Sequence, residues 1–258
     1  MIKNMKSKLA HYLLPFLLTG CLSIHCNSSS VENQPLSAEI IMQRAHERAG
    51  GPFWQKPTSL TLKGYAVFYE NGQAVKNERH NMWRVFEAEK TEAHAANGKV
   101  RIESFRDGQP VFIVTYDGQN TYDLRGKQAP SAADQRWASN FGYGVIRHAF
   151  DPGYRLERLA DTVLHEAPIY TINVVDPSGS STQFGITQKD FTIVKVAFQT
   201  PHGWHERHYS QFFRKPEYSW WQSGKVKLFY DGKRANDVYW EDFAVNEALP
   251  DSLFRLSN

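Results

Sequence analysis

The sequence is poor in the features that usually announce a mechanism. It has two cysteines in 258 residues, Cys21 and Cys26, too few and too close together for a disulfide framework to hold the fold. It has no Gly-x-Ser-x-Gly elbow, no phosphate-binding Gly-x4-Gly-Lys loop, no Gly-x-Gly-x-x-Gly after a strand and no Cys-x-x-Cys pair, so no standard hydrolase, nucleotide or redox motif is present. It lacks an apolar run long enough to cross a bilayer as a helix, which takes about 18–20 residues. It also lacks a real charge imbalance. The formal +3 comes from Lys3, Lys6 and Lys8, and without the first twenty residues 27 basic side chains face 27 acidic ones. A nucleic-acid binder carries a clustered basic excess, so nucleic acid is not an expected partner.

What the chain has is apolar and aromatic surface. Apolar residues make up 41% and aromatics 14%, a composition suited to strands that cover a large interior.

The N-terminus carries the most specific pattern. Three lysines precede LAHYLLPFLL, about ten residues long and so the length of a signal-peptide core rather than of a membrane span. Leu18-Thr19-Gly20-Cys21 follows and resembles the lipobox of bacterial lipoproteins. The resemblance implies cleavage after residue 20 and acylation of Cys21, with residues 21–36 as a flexible tether and 37–258 as the folded domain. Two or more acyl chains anchor a protein durably where one binds only marginally. Leu22 stands where an aspartate would retain a lipoprotein at the inner membrane. The resemblance therefore implies a lipid-anchored envelope protein, at the outer membrane facing the periplasm in a Gram-negative cell.

Beyond the tether, Ser37 is positioned as an N-cap for a helix of about three turns that Gly50-Gly51-Pro52 ends. From Leu60 the period changes to two, and turn pairs recur at Asn71-Gly72, Asn97-Gly98, Asp107-Gly108 and Asp117-Gly118. Strands are read at 82–88, 99–105, 111–116 and 121–124. The stretch 131–150, with Trp137, Phe141, Val145, Ile146 and Phe150, interrupts them as a helical or irregular insert. Strands resume at 168–175, 183–187, 192–200 and 204–213. Asp231-Gly232 then folds a last hairpin, read as the closing edge of the sheet. The expected fold is mostly β (α+β): a curved antiparallel half-barrel of about ten or eleven strands, with the first helix and the insert covering its concave face.

No catalytic residue, metal site or cofactor is expected. His202, His205 and His208 include a His-Glu-Arg-His run, but zincins need histidines four apart on a helix and these are three apart in a strand. On a strand, 202 and 208 share a face while 205 points away, so surface and turn roles account for them. A metal-dependent hydrolase built on these three is the remaining enzymatic alternative.

The helix exit Arg48-Ala49-Gly50-Gly51 with Trp54 and Ser59-Leu60-Thr61-Leu62, the run from Ala167-Pro168-Ile169-Tyr170 to 209–213, and the ending Val245-Asn246 with 249–254 resemble the lipoprotein-sorting carriers of the LolA/LolB-like fold. The resemblance implies an apolar cavity for acyl chains on the concave face, and so a lipid or acyl-chain ligand. Two departures stand out. Gln222-Ser223-Gly224 replaces the usual proline entry to a strand, and the soluble carrier of that family is not acylated. Lining candidates are Leu60, Leu62, Phe68, Phe112, Val114, Val194, Val196 and Phe198. The same residues also read as ordinary core, and periodicity does not separate the two. Trp220-Trp221 reads either as a membrane or lid contact or as a loop folded over the core edge. An envelope lipoprotein that binds a protein partner is the second functional alternative.

Overall fold

The computed structural model describes residues 35–86, 98–129 and 144–256. The lipobox, Cys21, the tether up to residue 34 and most of the insert, including Trp137 and Phe141, lie outside the described residues. Helix α1 (Ala38–Ala49) starts where Ser37 accepts the amide of Ile40 at 3.3 Å, which satisfies one of the donors orphaned at a helix start. Its buried stripe is Ala38, Ile41, Met42, Ala45 and His46, the spacing of one helical face. A short helix α2 (Pro52–Gln55) follows and buries Trp54.

Fourteen strands among the described residues form one antiparallel sheet. In chain order they are β1 (Ser59–Glu70), β2 (Gln73–Val85), β3 (Lys99–Arg106), β4 (Gln109–Tyr116), β5 (Thr121–Asp123), β6 (Gly126–Lys127), β7 (Arg155–Arg158), β8 (Thr162–Leu164), β9 (Ala167–Val175), β10 (Ser181–Thr187), β11 (Ile193–Thr200), β12 (Gly203–Phe213), β13 (Gln222–Tyr230) and β14 (Lys233–Val245). Across the sheet they run β6-β5-β4-β3-β2-β1-β14-β13-β12-β11-β10-β9-β7, with β8 also on β9. The architecture is the expected mostly β, open and curved antiparallel half-barrel. The strands beyond the expected eleven are β6, β7 and β8, pieces of two to four residues that are too short to show alternation. The β8–β9 turn is His165-Glu166, both with positive φ, where the sequence offers neither glycine nor asparagine to mark it.

The last hairpin sits elsewhere than expected. Its turn residues Asp231 and Gly232 both have positive φ, as a two-residue hairpin turn requires. But β14 pairs with β1, with Leu60 opposite Val245 and Leu62 opposite Phe243, so the hairpin completes the middle of the sheet rather than its edge. Gly64 permits the close approach at the bulge in this pairing, since a Cβ there would fall 1.8 Å from the carbonyl oxygen of Tyr239.

A helix α3 (Gly144–Arg147) is the described part of the insert. Val145 and Ile146 are buried in the same core as α1, whereas Phe150 is exposed. One continuous core joins the helices to β1, β9–β14 and Met82 of β2. A smaller cluster of Val100 and Val114 packs with Ile102, Phe112 and Tyr116 near the β3–β4 end.

Candidate ligand-binding site

Several hydrogen bonds fix the helical cover over the central strands. His46 on α1 lies with Nε2 2.7 Å from the Ile146 carbonyl, which makes that nitrogen the donor, so Nδ1 accepts from Gln55. Arg147 on α3 donates Nε to the Trp54 carbonyl at 2.9 Å. The loop before β13 is tied to the end of α1, because Trp221 donates its amide to the Ala49 carbonyl at 3.0 Å and Ser219 its hydroxyl to Gly50.

Under this cover lies a cavity of about 200 Å³. Strand register assembles its floor: Leu62 lies opposite Met82, Leu60 opposite Arg84, and Val226 between Tyr209 and Val238. Trp54, Trp220, Trp221 and Trp240 supply much of the remaining wall. Trp220 is buried, tilts against Trp54 with ring centroids 6.3 Å apart and donates its indole N–H to Gln222.

The polar part of the lining combines arginines with the uncharged His80, Thr192, Gln222 and Ser223. Arg48, Arg84, Arg147 and Arg207 line the cavity, and no described lining residue is aspartate or glutamate. Arg48 reaches Asp190 at 3.5 Å and covers the Trp221 ring at 4.3 Å. The Arg147 guanidinium lies 4.5 Å from the Trp54 ring and 5.2 Å from that of Trp220, and Arg84 lies 4.5 Å from the Phe86 ring. Burial, with the like charges of Arg147 and Arg207, lowers the Arg84 pKa to about 9, so it stays charged at neutral pH. Arg207 donates Nε to His205 Nε2 at 2.9 Å. The other ring nitrogen of His205 faces the Phe229 carbonyl, and burial together with Arg207 lowers its pKa to about 3. His205 is therefore a neutral acceptor beside the cation.

His80 completes the wall. It is stacked on Trp240 at 5.3 Å and meets Phe112 edge-on, and burial lowers its pKa to about 4. Its Nδ1 is buried without a hydrogen-bond partner.

The structure brings Leu60, Leu62, Trp220 and Trp221 to the cavity. Val196 and Phe198 are buried in the core outside its lining, and Phe68 and Phe112 meet edge to face one layer beyond His80. Val114 belongs to the smaller cluster. Val194 is half-buried and outside the lining, because a bulge there pairs Gly185 with Lys195 and Ile186 with Ile193. The extra residue moves Ile193, not Val194, onto the face of Val196 and into the cavity wall. Trp220 is buried in the main core. Of the three histidines, His202 is exposed, His205 is bonded as above and His208 faces Glu206 at 2.9 Å.

Sequence reasoning missed the arginines and His80. A signal for two of them was present, since His80 and Arg84 share the strand phase of Met82, the residue opposite Leu62. Polar residues in the inward phase of a strand are a departure from core patterning.

No family model matches the chain, and no curated protein matches it. Similar solved structures include one described as an outer membrane lipoprotein-sorting protein domain from Vibrio parahaemolyticus, at 12% identity and TM-score 0.48, covering 84% of this chain and 97% of that one. Another is a DUF1329 family protein from Desulfovibrio piger, at 9% identity and TM-score 0.49, covering 84% and 95%. A third is a LolA superfamily protein from Nitrosomonas europaea, at 14% identity and TM-score 0.46, covering 86% and 99%. At such identities they carry no information about this chain's ligand.

Proposed function

We propose that the protein is an acylated envelope lipoprotein, anchored through Cys21, whose domain takes up the acyl part of a lipid. The observation that carries this reading is the cavity between helices and sheet, walled by Leu60, Leu62, Val226 and four tryptophans. Its size is comparable to cavities of about 150 Å³ that stay dry and bind benzene, so it suits a short acyl segment rather than a whole long chain. Each buried methylene contributes about 0.8 kcal/mol, so about six would contribute about 5 kcal/mol gross. A bilayer offers the same methylenes a similar environment, so exchange with a membrane is close to balanced. That balance suits a protein that both takes and releases its cargo.

Native mass spectrometry of the detergent-free full chain tests the reading. Mass adducts of co-purified lipid, exchangeable on incubation with phospholipid vesicles, are expected. A chain that stays at its own mass after such incubation would overturn the proposal.

A further inference from the structure

A neutral imidazole carries one donor nitrogen and one acceptor nitrogen, and the buried histidines of this chain differ in how these are met. His46 bonds the Ile146 carbonyl through one nitrogen and Gln55 through the other. His205 is held in the same way between the Phe229 carbonyl and Arg207. His80 is only 7% exposed and lines the cavity, yet its Nδ1 has no hydrogen-bond partner among the described residues. A buried polar atom with its hydrogen bond unmade is the costly case, because it has given up water and received nothing in return.

The surroundings explain why no side chain serves it. His80 on β2 lies opposite Gly64 of β1, which in turn lies opposite Trp240 of β14. With no side chain between them, the imidazole stacks on Trp240 across the glycine, with centroids 5.3 Å apart. Phe112 meets the imidazole edge-on at 5.9 Å. Ring nitrogens bond in the plane of the imidazole, where a stacked indole does not reach and a phenyl ring has nothing to offer. The residue opposite on β3 is Ser104, whose hydroxyl accepts from Asn77 at 2.9 Å. Leu62, Met82 and Val238 line the same cavity and are apolar. Burial lowers the His80 pKa to about 4, so the ring is neutral at physiological pH and calls for no counter-ion.

Resting on the reading that an acyl segment fills the cavity, we propose that this segment carries a hydroxyl group and that His80 is the residue that recognises it. A hydroxyl both donates and accepts, so it satisfies either tautomer of the ring, whereas an ester carbonyl only accepts and a methylene does neither. The chain supplies affinity in proportion to its buried length. The hydroxyl supplies selectivity, because a plain alkyl chain in the same place leaves the ring nitrogen unmet.

The test titrates the full chain with hexan-1-ol and with its near-isostere 1-chlorohexane by isothermal titration calorimetry, and repeats both with His80→Phe. Dividing the alcohol-to-chloride affinity ratio of the native chain by that of the variant cancels the difference in how the two probes leave water. The quotient should be at least about fivefold, the scale of one neutral hydrogen bond. A crystal structure of the native chain with hexan-1-ol should place the oxygen about 2.7–3.2 Å from a ring nitrogen of His80. A quotient of one, or an oxygen bound elsewhere in the cavity, would overturn the hydroxyl and leave the acyl reading standing. Binding of neither probe would overturn the acyl reading itself, and the hydroxyl with it. The crystal structure of the native chain decides the matter even where the variant fails to fold.

Discussion

Acidification should destabilise this protein before its carboxylates titrate. His46, His80 and His205 are almost fully buried, and burial holds their pKa values at about 4, about 4 and about 3, below the ordinary 6.5. Two are also locked as neutral rings by their partners: His46 between the Ile146 carbonyl and Gln55, His205 between the Phe229 carbonyl and Arg207. Each folded value lies below the unfolded one, so the unfolded chain binds more protons at mildly acid pH. Stability is therefore full above about pH 6.5 and falls as pH drops towards about 4. At pH 5 the offset from 6.5 is about 1.5 units, or about 2 kcal/mol per histidine at about 1.4 kcal/mol per unit. The three together remove about 4–6 kcal/mol, a large share of the roughly 5–15 kcal/mol that holds a domain folded. Carboxylates with lowered values, such as Glu206 and Asp190, lose their contribution only below about pH 4.5, outside this window. Urea unfolding at pH 8, 6.5 and 5 measures the effect. The His80→Phe variant, which removes a ring nitrogen without a partner, should lose about a third of the pH dependence. An unfolding free energy that stays level from pH 8 to 5 would refute the reasoning.

Gly64→Ala should destabilise the domain by about 3 kcal/mol or more, because its Cβ would overlap the Tyr239 carbonyl across the β1–β14 pairing; urea midpoints check this. Asp237 is fully buried between Arg234 and Lys225, so Asp237→Asn leaves two cations facing a neutral amide. Since Arg234 is partly exposed, a loss of about 2–3 kcal/mol is expected in the same assay. Val226→Phe should occupy part of the cavity and reduce lipid adducts in native mass spectra, at a cost of about 1–3 kcal/mol in stability.

The sequence made the repetitive parts of this fold legible and hid the exceptions. Ser37, Gly50-Gly51 and Asp231-Gly232 act locally, so the first helix and the last hairpin could be read without tertiary information. The partner of that hairpin could not, because alternation gives a strand its faces but not its neighbour. The pairing of β14 with β1 depends on contacts between the two ends of the domain. β1 keeps its period up to Lys63, which puts Leu60 and Leu62 on the cavity face, whereas one bulged residue in β11 turns Ile193 rather than Val194 towards it. Arg147 lies in a four-residue helix with no periodic pattern, so only the folded chain brings it beside Arg84.

The central claim is that an acyl chain enters the cavity, and the protein carries its own probe for it. Four of its seven tryptophans, Trp54, Trp220, Trp221 and Trp240, line that cavity. Bromine atoms quench indole fluorescence on contact, so titration with a short fatty acid brominated along its chain reports entry directly. The account predicts saturable quenching that is reversed by the unbrominated acid and weakened in Val226→Phe. Fluorescence that declines only linearly, as collisions in solution would produce, and is not restored by the competitor would contradict it.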